Sequence, residues 1–314
     1  MPNEIQNPER FDVLGIGCAA VDDLIYVPSF PEADKKMRVA RSLRRCGGLT
    51  GAALVTAARL GARCAYAGCL GTDDHSRHVA EDFAAEGIDT SQAPRLSEAR
   101  VVHSTIIVGR DSGSRNIFFE DYGLIGAHDT LPDAAVICNA RVLFIDHLGM
   151  RGNLRAVRVA RDAGADVVAD FENETDPQFH QVLALVNHLV LSEEFALRIT
   201  GQPDAAHAAR ALWNEARAVV IVTCGAEGCW SVAAGDGLKA RHQPAFVVKA
   251  ADTTGCGDVF HGAYAASLAR GDSLEERVLF ASAAAAVKAM QSQIPRRAAV
   301  AEFLEAQPRL GAKV

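Results

Sequence analysis

Short apolar, β-rich runs alternate with longer helical patterns from about residue 47 to about residue 220, and no other feature constrains the fold as strongly. In one cycle, the run 142–145 (VLFI) is followed by the amphipathic stretch 152–164 and then by the run 166–169 (DVVA). This alternation is typical of a mainly parallel sheet that is covered by helices on both faces. The sequence therefore predicts an α/β fold, and such sheets bind ligands beyond the carboxyl ends of their strands.

Two segments interrupt this alternation. Residues 22–46 have an extended character, because Pro28 and Pro31 discourage a helix. Residues 101–122 have the pattern of a hairpin around a turn at 111–114. We expect the two segments to pair into a small accessory β-sheet that forms a lid. The C-terminal third returns to helical patterns, at 258–270, 274–290 and 298–306.

One part of the predicted lid, residues 35–45 (KKMRVARSLRR), is strongly basic and contains no acid. Basic side chains commonly protect the exposed edge of a sheet, and this interpretation fits most of them. One or two remain candidates for presenting a cation to a phosphate. The six basic residues are Lys35, Lys36, Arg38, Arg41, Arg44 and Arg45.

Charge and cysteine content exclude several function classes. The net charge of −7 argues against nucleic acid as the main partner, since phosphate-backbone binding needs a basic surface. The eight cysteines include no Cys-x-x-Cys pair, which leaves a zinc ribbon or a redox motif with little support. No apolar run approaches the ~20 residues that span a bilayer. The opening stretch MPNEIQNPERFD is too polar for a signal peptide, so we expect a cytoplasmic protein with free thiols and no membrane partner.

The stretch 15–20 (GIGCAA) matches a dinucleotide-binding pattern of glycines that follows a strand. That pattern requires a helix directly afterwards, so that a pyrophosphate lies at the helix N-terminus. The next residues, VDDLIYVPSFP, are β-branched and interrupted by prolines, so we reject a nicotinamide-dependent dehydrogenase. Asp22 then lies just past the first strand, where an acid either holds sugar hydroxyls or is a solvated loop residue.

Two glycine-rich turns are further candidates for ligand contact. Gly47 and Gly48 precede a helical pattern, and they would let a ligand approach the backbone and the free helical amides. In the stretch 223–228 (TCGAEG), Thr223 offers a hydroxyl directly after a buried strand. Both features are also compatible with ordinary loop junctions, since glycine serves plain turns as well.

The stretch 252–263 (DTTGCGDVFHGA) carries the most chemistry. A glycine turn precedes a helix that we expect to begin at Asp258 and to end at Gly271. Amides at a helix N-terminus form a preorganised anion site, and a carboxylate beside that site is unfavourable unless it handles a proton. Asp258 would accept a proton from a hydroxyl while the amides stabilise a phosphoryl group. The alternative is an acid that merely favours the start of a helix. Within this stretch, Cys256 is interpreted as a small filler and His261 as a packing residue.

Together, these motifs resemble the ribokinase, or PfkB-type, carbohydrate kinase family. The resemblance rests on GGLTGAALVTAARLGA (47–62), GCLGTDDHSRHVAEDFAAEGIDT (68–90), TCGAEG and DTTGCGD, which occur in the family's order and cover nearly the whole chain. It implies a Rossmann-like, mainly parallel sheet flanked by helices, with a small β-sheet lid. It also implies transfer of the ATP γ-phosphoryl group to a sugar hydroxyl with Mg²⁺. We expect residues 1–314 to form one ribokinase-like catalytic domain, into which the lid segments 22–46 and 101–122 are inserted.

The resemblance assigns roles to individual residues by their position. Asp258 would be the general base, and the turn Gly255, Cys256 and Gly257 would form the anion hole. The binding residues that the resemblance implies are Asp22, Gly47 and Gly48 for the sugar, Ser192, Thr223, Gly225 and Gly228 for the nucleotide, and Asp252 and Thr254 for a monovalent cation such as K⁺.

The chain departs from the family's pattern at several positions. In the N-x-x-E motif near the metal and the phosphates, Ser192 replaces Asn and Phe195 replaces Glu, with Glu193 or Glu194 as partial substitutes. Ala52 stands where a sugar-binding asparagine is common, and Leu148 lies near the usual position of a sugar-binding acid. The sugar pocket is therefore expected to differ from that of a standard ribokinase. The stretch 242–263 is most similar to the ketohexokinase and sulfofructose kinase branch.

The sequence thus predicts an ATP-dependent sugar kinase. One alternative is a nucleoside kinase on the same scaffold, with Phe118, Phe119 and Tyr122 of the lid forming a base pocket. Another is a sugar-binding homologue that has lost turnover, which Phe195 and Ala52 suggest. The exposed strands of the lid favour a homodimer formed through the lid.

Overall fold

Two β-sheets of unequal size organise the chain, which we describe from a computed structural model for residues 10–111 and 114–307. Residues 112 and 113 of the predicted turn and the two ends of the predicted 1–314 domain lie outside the described residues. The strands are β1 Phe11–Ile16, β2 Ala20–Val27, β3 Arg41–Gly47, β4 Cys64–Tyr66, β5 Val102–Gly109, β6 Arg115–Glu120, β7 Ala140–Asp146, β8 Asp166–Asp170, β9 His188–Ser192, β10 Val219–Thr223, β11 Cys229–Ala233 and β12 Arg241–Gln243.

The helices lie mostly between the strands of the larger sheet. They are α1 Leu49–Arg59, α2 Asp74–Ala85, α3 Ala134–Cys138, α4 Met150–Asp162, α5 Phe179–Leu185, α6 Glu193–Thr200, α7 Ala205–Leu212, α8 Cys256–Arg270, α9 Leu274–Gln291 and α10 Arg297–Glu305. None of those in the described ranges has the length and apolarity that crossing a bilayer requires.

The larger sheet has the order β12-β11-β10-β9-β8-β7-β1-β4, and its strands from β10 to β4 are parallel. The chain leaves β1 towards β4 on one side and later returns to β7 on the other. The strand order therefore reverses at β1. In sheets of this kind, a crevice opens beyond the carboxyl ends of the strands at such a point of reversal, which is called the switch point. This confirms the predicted mainly parallel α/β architecture.

Two apolar layers form the core, one on each face of this sheet. In β7, Val142 and Phe144 face the layer made with α1, α8 and α9, whereas Leu143 and Ile145 face the layer made with α4 to α7. Alternate residues of a strand point to opposite faces, so a strand buried on both sides is apolar throughout. Helix α8 is itself buried between α1 and α9, where Gly262 lets it approach α1 so closely that a Cβ would lie 2.2 Å from the Ala53 oxygen.

The smaller sheet, β3-β2-β5-β6, is the lid, and it draws its strands from the two segments that interrupt the alternation. Strand β2 follows the glycines of β1 directly, so no helix follows Ala20 as a dinucleotide site would require. Strand β2 pairs antiparallel with β3 and parallel with β5. At the outer edge, β6 is exposed along its whole length.

One predicted boundary was wrong. Helix α8 begins at Cys256, two residues before the predicted start at Asp258. Gly255 adopts φ 75°, a left-handed conformation that glycine tolerates, and the chain turns there rather than over three residues. Cys256 and Gly257 therefore belong to the first helical turn.

Candidate active site

The N-terminus of α8 lies between two cavities at the carboxyl edge of the larger sheet. One, of about 480 Å³, is lined by Asp258 and Gly255 together with residues of β2, β3 and α1. The other, of about 500 Å³, is lined by Cys256 and Gly257 together with the β10–β11 turn and residues 245–248. After the ligands that the resemblance implies, we call them the acceptor cavity and the nucleotide cavity. One short turn thus faces both.

Asp258 is half-buried in the first turn of α8. Within the described residues, no donor forms a hydrogen bond to its carboxylate, and a Cβ at Gly255 would lie 3.4 Å from its Oδ2 atom. Burial, followed by the negative charge of Asp170, raises the pKa of Asp258 well above the usual 3.8. A carboxylate with a raised pKa and no fixed partner is able to accept a proton from a ligand.

Asp170 and His261 form a buried pair behind Asp258. Asp170 ends β8, and its Oδ2 atom lies 3.4 Å from Nδ1 of His261. The ring nitrogens of His261 also lie 2.8 Å from the Gly257 oxygen and 3.0 Å from the Val190 oxygen. The histidine therefore ties the first turn of α8 to the strands of the sheet.

The backbone amides of this turn are divided between internal bonds and free donors. The Cys256 amide donates to the Thr253 oxygen at 3.2 Å, and the Val259 amide donates to the Gly255 oxygen at 3.0 Å. Within the described part of the chain, the amides of Gly255, Gly257 and Asp258 have no such partner. Of the three residues predicted to form an anion hole, Cys256 has an amide that already serves the turn, whereas the amide of the next acid, Asp258, is free among the described residues.

In the acceptor cavity, Asp22 lies on β2 between Arg45 of β3 and Ser104 of β5. The Arg45 Nε atom is 3.8 Å from Asp22 Oδ2. Burial raises the pKa of Asp22, although the Arg45 charge and the Ser104 hydroxyl oppose that shift. A Cβ at Gly47 would lie 2.3 Å from Asp22 Oδ2, so any larger residue there would displace this carboxylate.

Gly48 lines the acceptor cavity at the start of α1. Its φ of 82° is in the left-handed region, and a Cβ would lie 2.9 Å from the backbone of Ala19. The sequence placed Asp22, Gly47 and Gly48 at one site, and the structure brings all three to the cavity that Asp258 faces.

Asp146 is a buried residue that holds together the elements around the acceptor cavity. It is fully buried at the end of β7, and its carboxylate accepts from the Cys18 amide at 2.6 Å, the Thr50 hydroxyl at 2.7 Å and the Leu148 amide at 2.9 Å. These bonds join the end of β1, the first turn of α1 and the loop after β7. All of them bind structure rather than a ligand, so Asp146 is a positioning residue.

The nucleotide cavity is lined by Thr223, Gly225 and Gly228, as the sequence placed them. The three residues surround a single helical turn between the antiparallel strands β10 and β11. A Cβ at Gly228 would lie 2.0 Å from the Gln243 oxygen, which explains the glycine. The apolar stretch 245–248 forms the opposite wall and provides a surface for a flat ring.

Ser192 is not among the residues that line this cavity. Its hydroxyl instead accepts the Phe195 amide at 3.3 Å and caps α6. Phe195 is buried and packs edge-on against Phe179, so it has become part of the core. Glu193 and Glu194 lie in the first turn of α6, outside both cavities.

Asp252 and Thr254 meet a side chain that the sequence did not indicate. The Asp252 Oδ1 atom accepts the Thr254 amide at 2.9 Å, and the buried ammonium of Lys288 lies 3.2 Å from Oδ2. Burial raises the pKa of Asp252, but the Thr254 hydrogen bonds and the Lys288 charge outweigh it and lower the pKa. The ammonium group of Lys288 therefore occupies the place where the resemblance implies a monovalent metal ion.

The aromatic residues of the lid do not reach the acceptor cavity. Phe118 and Phe119 are exposed on β6, and Tyr122 lines a separate cavity near His103. Across residues 10–111 and 114–307, no aromatic side chain lines the acceptor cavity. Ala52 does line it, at the position where the resemblance implies an asparagine.

Sequence reasoning missed Asp146, Asp170 and Lys288. The two acids each end a parallel strand beside the switch point, and that placement was a usable signal. No sequence signal pointed to Lys288, because it lies in an alanine-rich helix where a lysine is normally exposed.

Comparison with known proteins agrees with this geometry. Residues 12–294 match the sequence profile of the family described as "pfkB family carbohydrate kinase". Ribokinase of Haemophilus influenzae is 30% identical over 308 residues, which cover 92% of this chain and 97% of that protein.

Solved structures share the fold. Ribokinase of Thermotoga maritima superposes with a TM-score of 0.81 at 25% identity, covering 94% of this chain and 99% of that one. Arabidopsis thaliana ribokinase complexed with ribose and ATP gives a TM-score of 0.83 at 21% identity, covering 95% of this chain and 100% of that one.

Proposed function

The chain belongs to the pfkB family of carbohydrate kinases and is therefore a phosphotransferase, and we propose that it transfers the γ-phosphoryl group of ATP to a hydroxyl of a small sugar. One observation carries this proposal: the first turn of α8 faces both cavities, with Asp258 on one side and Gly257 on the other. An acceptor and a phosphoryl donor would meet at that turn.

In the acceptor cavity, Asp22 and the backbone at Gly47 and Gly48 would hold the sugar hydroxyls. Asp258 would take the proton of the attacking hydroxyl, because its raised pKa favours proton transfer near neutral pH. The free amides of Gly255, Gly257 and Asp258 would stabilise the charge of the phosphoryl group. Closure of the lid over the cavity would exclude water, which otherwise competes as the acceptor.

In the nucleotide cavity, the apolar stretch 245–248 would pack against the adenine ring. Thr223, Gly225 and Gly228 would line the path of the nucleotide towards α8. Mg²⁺ would neutralise phosphate charge when it arrives with ATP. No cluster of three acidic, histidine or cysteine ligands exists in the described ranges, which suits an ion held mainly by phosphates and water.

We propose, further, that residues 1–314 form one catalytic domain with the segments 22–46 and 101–122 as its lid. We also propose that two copies associate through β6, whose exposed edge could pair with another lid.

A screen of sugars and nucleosides by ADP release, with Mg²⁺ present, tests the function. Ribose is the first sugar to try, because relatives at 30% and 28% identity are ribokinases. We expect a sugar to stimulate ADP release and nucleosides not to, since no aromatic side chain in the described ranges lines the acceptor cavity. Tight sugar binding without any ADP release would indicate a binding protein instead.

A further inference from the structure

Lys288 is a buried lysine whose ammonium is held by one residue. It lies on α9 with 2% of its surface exposed, and Nζ is 3.2 Å from Oδ2 and 3.3 Å from the main-chain oxygen of Asp252. Burying an ammonium is costly unless it is paired and hydrogen-bonded. A lysine in this position therefore needs a reason beyond packing.

Its location provides that reason. Asp252 precedes the turn at Gly255, and Lys288 lines the acceptor cavity together with Thr254, Gly255 and Asp258. The positive charge thus lines the same cavity as the turn whose free amides would face a phosphoryl group. A cation there would stabilise both the loop and the negative charge that develops at the turn.

The residues at this place do not fit a monovalent metal ion. Such an ion is held by several oxygens that replace its hydration shell. Here Oδ2 and the main-chain oxygen of Asp252 face the ammonium, and Oδ1 accepts the Thr254 amide. The neighbouring Ala289 oxygen accepts the amides of Ala251 and Asp252 at 2.8 and 3.1 Å.

We propose that the ammonium of Lys288 takes the place of a monovalent metal ion, so that phosphoryl transfer by this chain does not depend on K⁺. The charge is supplied covalently by α9 and holds the loop 251–255 in its active arrangement. This inference rests on the proposed kinase function only for its effect on turnover. Its structural part concerns the stability of the loop and does not require activity.

The test compares three variants of the full chain in KCl and in choline chloride at equal ionic strength. Lys288→Ala removes the ammonium and leaves room for an ion, whereas Lys288→Met removes the charge but fills the space. Lys239→Ala is the matched control, since Lys239 is exposed and lines neither cavity. The thermal unfolding temperature is measured for each protein without ligands, and ADP release is measured with the sugar that the screen identifies.

We expect the wild type and Lys239→Ala to give the same unfolding temperature and the same ADP release in both salts. In choline chloride, Lys288→Ala should unfold roughly 5–10 °C earlier, because the partly buried Asp252 carboxylate loses its partner. KCl should recover much of that loss and restore ADP release. Lys288→Met should respond to neither salt.

Activation or stabilisation of the wild type by K⁺ would overturn the proposal, as would a Lys288→Ala variant that K⁺ does not affect. If Lys288→Ala fails to fold in choline chloride but folds in KCl, that result supports the proposal. If this variant folds in neither salt, the wild type decides: an effect of K⁺ on its unfolding temperature or ADP release overturns the proposal, and no effect supports it. If no sugar supports ADP release, the kinase function fails, while the unfolding temperatures still decide the role of Lys288.

Discussion

The Nδ1 atom of His261 lies 3.4 Å from Oδ2 of Asp170, and both side chains are buried behind Asp258. Burial and then the charge of Asp170 raise the pKa of Asp258, whereas His261 acts in the opposite direction. The environment of the proposed base is therefore set by residues from two separate elements, β8 and α8.

The pH dependence of turnover follows from this arrangement. Because the pKa of Asp258 is raised, the acidic limb of kcat/KM should lie well above the usual carboxyl value of 3.8. Burial raises the pKa of Asp170 as well, so the two acids titrate as a coupled pair. Replacing Asp170 with Asn removes the negative charge that Asp170 carries when it is ionised, so the pKa of Asp258 should fall and the limb should move to lower pH. A pH–rate profile of wild type and Asp170→Asn measures the shift. A limb that moves to higher pH would contradict the assignment.

Asp22 and its neighbour Asp23 offer a matched pair in the lid, because successive residues of β2 face opposite sides. Asp22 lines the acceptor cavity, whereas Asp23 binds Arg44 through two contacts of 2.7 Å. Asp22→Asn should raise the KM for the sugar by about 10–100-fold, because a carboxylate bond to the substrate is lost. Asp23→Asn should change it little. Equal effects in steady-state kinetics would argue against a direct contact of Asp22 with the sugar.

Gly257 offers a test of the nucleotide side. A Cβ there meets no atom within 4 Å, so Gly257→Val should fold while its side chain enters the nucleotide cavity. We expect ATP affinity to fall by about tenfold or more with a small change in unfolding temperature. The contrasting variant Gly262→Ala should lose stability, since its Cβ would lie 2.2 Å from the Ala53 oxygen. Unchanged ATP binding by Gly257→Val, measured by calorimetry, would place the nucleotide elsewhere.

From the exposed edge of the lid at β6, we predict that the protein self-associates. Phe118 and Phe119 are 58% and 63% exposed on β6, an edge strand with unpaired backbone groups. A second copy that pairs along this edge would pack against the two rings from opposite faces of the strand. The double change Phe118→Ser with Phe119→Ser should shift the mass measured by light scattering from dimer to monomer. A wild type that is monomeric at micromolar concentration would contradict a lid-mediated dimer.

The sequence predicted those parts of the molecule that local patterns determine. Strands such as 140–146 follow from apolar runs between helical stretches, and the turn at Gly255 follows from its glycine. The lid segments were predicted because their prolines and alternation do not fit a βαβ unit. The start of α8 was misplaced because a left-handed Gly255 lets the helix begin at once.

The parts that the sequence did not reveal depend on distant residues. Asp146 accepts a hydrogen bond from the amide of Cys18, which lies 128 positions earlier in the sequence. Lys288 contacts Asp252, which lies 36 positions earlier. Such contacts leave no local pattern, because their residue types are also common on surfaces. Ser192 shows the converse: the motif suggested a nucleotide contact, but its hydroxyl caps α6.

The central claim is that Asp258 accepts the proton of the attacking hydroxyl, and the most direct measurement is ADP release by Asp258→Asn. The amide has the shape of the carboxylate but does not accept a proton, so kcat should fall by about 10²–10⁴-fold. ATP affinity, measured in parallel by calorimetry, should stay close to that of the wild type. Turnover at the wild-type rate by this variant would contradict the account.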